Sequence, residues 1–100
     1  MTACVFRFSF SSDVPLDEAE MTLQLATFAA EGLFGMARVR LEFGYHVDAA
    51  RRVILMDGTQ EVGSTVVQLF LGMLLREFGE DAFRVEPVQS VERQRKEAAA

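Results

Sequence analysis

The side chains that could do chemistry in this chain are few and far apart. His46 is its single histidine and Cys4 its single cysteine. A histidine can act as a general base or a metal ligand. His46 has no second histidine or thiolate at ligand spacing, and His46-Val47-Asp48 reads as a surface histidine beside a hairpin. Cys4 falls on the inward side of an alternating stretch and reads as a small core hydrophobe. Asp57 follows a strand-like run, where starting the next helix accounts for it. Gly63-Ser64-Thr65 lies inside a helical pattern and lacks the strand-to-helix turn that presents a nucleophilic serine. Gly58 and Gly63 do not make a phosphate loop. No metal and no cofactor is expected, and binding is expected in preference to catalysis.

Charge narrows the partners. Ten basic residues against fifteen acidic ones give a net charge of −5. That disfavours wholesale binding to nucleic acid or anionic lipid, which needs a positive surface. Nine of the ten basic residues are arginine, the side chain that best matches planar anions, so a local anion-facing patch is compatible with the acidic whole. The longest apolar run, Val66 to Leu75, is about half the ~20 residues that span a bilayer. Met1 to Phe10 is interrupted by Arg7 and does not read as a signal peptide. With one thiol, a cytoplasmic address is expected.

Hydrophobic period then assigns the elements. Cys4, Phe6, Phe8 and Phe10 alternate with Val5, Arg7 and Ser9, as a half-buried strand does. Pro15, Asp17, Glu18 and Glu20 suit the start of a helix, and the period becomes helical from about Leu16 to Phe34, where Gly32 or Gly35 can end it. Val39, Leu41, Phe43, Tyr45 and Val47 alternate again and predict a long strand. Asp48 to Arg51 predicts a hairpin loop, and Arg52 to Met56 the returning strand. Asp57-Gly58-Thr59-Gln60 predicts a capping box for a second helix reaching about Phe78, with Gly79 to stop it. Ala82 to Val88 predicts a last strand, at a sheet edge because of Pro87. Residues 1–88 are expected to form one α+β domain, and residues 89–100 a flexible charged tail.

Strand, helix, strand, strand, helix, strand resembles the ferredoxin-like βαββαβ arrangement. Two right-handed βαβ units joined by a hairpin then form a four-stranded antiparallel sheet with two helices on one face. This is a resemblance of topology over about Ala3 to Val88, without a motif, and the arrangement hosts many unrelated functions. The chain has no CxxC, so metal chaperones of this topology are excluded. The segment Ser11-Ser12-Asp13-Val14-Pro15 also lacks the arginine of the phosphate-cradling loop that acylphosphatases carry after the first strand.

Both helices carry more apolar surface than one sheet covers. At 100° per residue the apolar arcs span roughly 220° and 200°, against a little over 100° for a helix lying on a sheet. The extra flank of the first helix is Met21, Leu25 and Phe28, and that of the second is Val67, Leu71 and Phe78. They lie on opposite rotational sides of their core stripes, so only one can face the neighbouring helix. An outward apolar row implies a contact. Val67, Leu71, Leu75 and Phe78 are the residues expected to make it, with a second copy of the chain or with another protein. On the uncovered sheet face, alternation is expected to place Arg7, Arg38, Arg40, Arg52, Arg84 and His46 with Ser9, Glu42 and Glu86, and the aliphatics Val5, Ile54 and Met56. The expected function is a non-catalytic, homo-oligomeric protein-interaction module. The alternatives are a small dimeric enzyme or anion-binding protein using His46 and the sheet-face arginines, and a nucleic-acid-associated protein. The last is weakened because the strand aromatics fall on the core side.

Overall fold

The computed structural model of the chain describes residues 5–88. Cys4 and the expected tail lie outside them. The first strand, β1 (Val5–Phe10), alternates as its sequence does: Phe8 and Phe10 are buried while Arg7 and Ser9 turn to the other face. Helix α1 (Leu16–Phe34) begins after Pro15, with Asp17 and Glu18 against the positive end of its dipole. Its buried stripe is mostly small, with Ala19, Ala26 and Ala30 around Leu23, so the helix can lie close to what it covers. Gly35 ends it with φ 89°, a left-handed-side conformation that favours glycine, and its N–H donates to Glu31 O.

The expected long strand forms differently. Met36–Glu42 is a second helix, α2, and only Tyr45–Asp48 is strand, β2. Val39 and Phe43 are four apart, so they share a face under either period, and alternation alone could not separate the two. Side-chain pairing separates them. Arg38 Nε donates to Glu42 Oε2 at 2.9 Å, an i,i+4 ion pair that helical spacing alone brings together. Arg38 also reaches Glu61 Oε1 at 3.0 Å and lies over the Phe34 ring, 4.9 Å from its centroid. In this helix Val39 goes into the core and Leu41 is turned out, 86% exposed.

Asp48 Oδ1 accepts the Arg51 N–H at 3.2 Å and shapes the turn into β3 (Val53–Asp57). Arg52 sits in that turn with φ 57°. Ile54 and Met56, expected on the open face, are fully buried. The register explains the correction: Ile54 pairs with Phe8 and Met56 with Phe6, and paired residues of an antiparallel ladder share a face. The open face of β3 carries Val53 and Leu55 instead.

Helix α3 (Glu61–Glu77) starts after Gln60 without a side-chain cap; Asp57 Oδ1 accepts the Thr59 N–H at 2.9 Å and so shapes the turn before it. Gly63 is packed so tightly that a Cβ there would stand 2.1 Å from the Asp57 carbonyl oxygen. Gly79 follows the helix, a single 3₁₀ turn spans Glu80–Ala82, and β4 (Phe83–Val88) completes the sheet. The strand order is β2-β3-β1-β4 with every neighbour antiparallel, and Pro87 does fall on an edge strand. Among the described residues the fold is therefore α+β, with a four-stranded antiparallel sheet and three α-helices in place of the two expected. Its core joins Phe8, Ile54 and Met56 of the sheet to Leu23, Val66, Phe70 and Leu74 of α1 and α3. Phe8 and Phe70 bring the two layers together, ring centroids 4.9 Å apart. No described helix is long and apolar enough to cross a membrane.

Candidate interaction surface

Two contacts set how α1 is rotated about its axis. On one flank the Thr22 hydroxyl donates to Glu77 Oε1 of α3 at 2.6 Å. On the other the Tyr45 hydroxyl of β2 donates to Glu20 Oε2 at 3.1 Å. Partial burial pushes the Tyr45 phenol above its ordinary pKa, and the bond to Glu20 adds to the rise. With both flanks held and Ala19, Leu23, Ala26 and Ala30 buried, Met21, Leu25 and Phe28 are left looking outward. They are 63%, 59% and 62% exposed and stand in one row, at spacings of four and three. Leu33 and Met36 are exposed as well. Beside the row an open, largely apolar cleft of about 490 Å³ runs between α1 and α3, lined by Met21 and Leu25 on one side and Met73 and Arg76 on the other.

The row expected to face outward on α3 does so only in part. Val67 is 7% exposed, and Leu71 and Phe78 are half-buried against the core; Leu75 alone is open, at 44%. Of the two apolar flanks, that of α3 packs against its own subunit and that of α1 is left outside. The signal for Met21, Leu25 and Phe28 was present in the sequence as surplus arc. Which surplus would be covered depends on the side from which each helix meets its neighbours, and helical period does not carry that.

The arginines are dispersed. Arg7 and Arg84 stand on the open sheet face; Arg7 lies 3.5 Å from Glu86, its cross-strand partner, and Arg84 pairs with Ser9 in the ladder. Arg38 and Arg40 are on α2, away from the sheet ladder. The carboxylates of Glu42 and Glu61 hold the Arg38 guanidinium above its ordinary pKa, Glu42 having the larger effect. Arg52 is a structural clip, with Nη2 donating to Ser11 O at 2.8 Å and to Val14 O. His46 is exposed on β2 opposite Leu55. Three further side chains of that face, Val5, Val53 and Val88, are half-buried aliphatics. The described residues hold no group of three or more His, Cys, Asp or Glu placed to bind a metal ion. Comparison with family models, curated proteins and solved structures finds no match to this chain.

Proposed function

We propose that this chain is a non-catalytic protein-interaction module built on a ferredoxin-like arrangement, and that the outward row of α1 is its contact surface. The arrangement is supported by the strand order β2-β3-β1-β4, which two βαβ units joined by the β2–β3 hairpin generate, with α2 as an insertion after the first crossover helix. A single thiol supports a reducing, cytoplasmic setting. The observation that carries the functional reading is the exposure of Met21, Leu25 and Phe28 in one row on a helix whose buried stripe is already covered and whose flanks are bonded through Thr22 and Glu20. Covering three such side chains is worth about 1.5–3 kcal/mol each before the cost of association. Dispersed apolar residues are ordinary on a protein surface, whereas an aligned row beside an apolar cleft marks a contact.

The reading is tested with Leu25→Glu and Phe28→Glu. Both should melt within a few degrees of the parent, because neither side chain is part of the core, and both should bind much less of an apolar fluorescent dye. A large loss of stability in both would mean that the row is covered within its own subunit, and would refute the assignment.

A further inference from the structure

We propose that the occupant of the α1 row is a second copy of this chain, docked with its own α1 antiparallel about a two-fold axis that passes between Leu25 and Phe28. This rests on the reading of α1 as the contact surface and names the partner. The row continues past Phe28 to Gly32, which is exposed and has nothing within 4 Å of where a Cβ would stand. An antiparallel copy centred between Leu25 and Phe28 sets Leu25 against Phe28 of the partner and Met21 over the partner's Gly32. Large side chains meet at the middle, and at each end a large one meets an empty site. The row from Met21 to Gly32 is about 16 Å long, enough for helix packing at close interaxial distance. Such a contact is isologous, so each protomer uses the same patch and the assembly closes as a dimer.

Charge selects the antiparallel direction. Asp17 and Glu18 lie exposed at the start of α1, and neither makes an ion pair among the described residues. Arg40 follows α1 in the chain, on α2 beyond the Gly35 turn, exposed and likewise without an ion pair among them. An antiparallel copy in this register brings Asp17 and Glu18 of one protomer to the start of α2 of the other, the helix that carries Arg40, twice. It also sets the positive end of each helix dipole beside the negative end of its partner. A parallel copy would oppose acid to acid.

Sedimentation equilibrium over a concentration series tests the proposal. The parent chain should dimerise with a dissociation constant of about 1–100 μM, and Leu25→Glu and Gly32→Leu should each weaken it at least about tenfold without lowering the circular dichroism melt by more than a few degrees. The direction is read from a charge exchange. The double variant Asp17→Lys/Glu18→Lys and the single variant Arg40→Glu should each weaken the homodimer. An equimolar mixture of the two should recover association, because in the mixed dimer both end contacts join opposite charges. A parent chain that stays monomeric to millimolar concentration while its α1 row still binds dye would overturn the dimer and leave the contact surface standing for another protein. A dimer that survives Leu25→Glu, or a mixture that associates no better than its components, would overturn this docking. Unfolding of Leu25→Glu would overturn both the dimer and the surface beneath it.

Discussion

Replacing one glycine of α3 by alanine should destabilise the protein, and replacing another in the same helix should stabilise it. At Gly63 the new methyl would stand 2.1 Å from the Asp57 carbonyl oxygen, 3.2 Å from its carbon and 3.4 Å from Gly58 Cα. All three atoms are backbone, so no side chain can swing aside. Van der Waals contact between carbon and oxygen needs a separation of about 3.3 Å, which requires β3 and α3 to move apart by roughly 1 Å. Alanine is worth up to ~1 kcal/mol over glycine inside a helix, and less in the first turn, where residue 63 lies. Overpacking against a rigid neighbour costs about 1–3 kcal/mol or more. The net expectation for Gly63→Ala is a loss of about 2 kcal/mol, or roughly 8–16 °C in Tm for a domain of this size. Gly72 has nothing within 4 Å of its Cβ position, so Gly72→Ala should gain about 0.5–1 kcal/mol. Urea and thermal melts followed by circular dichroism measure both. Equal effects of the two substitutions, or a Gly63→Ala variant as stable as the parent, would show that the close approach of α3 to β3 is misjudged.

Tyr45 is the only tyrosine, so the absorbance of ionised phenol reports it alone. It should titrate above the ordinary tyrosine value, because burial and the bond to Glu20 both favour the neutral ring. A raised folded pKa means that this contribution to stability is complete below about pH 10 and is lost as pH rises through the folded value. A titration midpoint at or below that of free tyrosine would contradict the Tyr45–Glu20 contact, and Tyr45→Phe should flatten the alkaline limb. Arg52→Ala removes both donors from the Ser11 and Val14 carbonyls and keeps a side chain at φ 57°, and should cost about 1–3 kcal/mol. Arg52→Gly loses the same bonds but relieves the backbone, so it should be the milder of the two in a urea melt; the reverse order would refute the clip.

Much of the architecture was legible where one period applied without competition. Residues 5–10 alternate with aromatics on one side only, and β1 follows. In 16–34 the polar and small residues sort onto fixed helical faces, and α1 has those bounds. The segment after Gly35 was not legible in the same way. Val39 and Phe43 satisfy both periods, and the choice of helix is expressed in contacts to Glu42, Glu61 and Phe34, two of which lie outside the segment. Arg38 and Arg40 left the sheet face with it. The facing of Ile54 and Met56 failed for another reason. Alternation within a strand says which residues share a side, and only the register against Phe6 and Phe8 says which side that is.

The candidate surface was half legible. Surplus apolar arc on both helices can be counted from residue spacing, since it is a property of each helix alone. Which surplus stays outside is a property of the pair. Here Thr22–Glu77 and Tyr45–Glu20 orient α1 from either flank, while Val67, Leu71 and Phe78 pack against the core of their own subunit. Local periodicity and charge thus determined by themselves the α+β class, most elements, the acidic balance and the existence of an apolar excess, because each depends on neighbours within a few residues. The third helix, the facing of β3, the scattering of the arginines and the identity of the exposed row were decided only by tertiary structure. Each depends on register or rotation between elements distant in sequence, which the spacing of residues within one element does not encode.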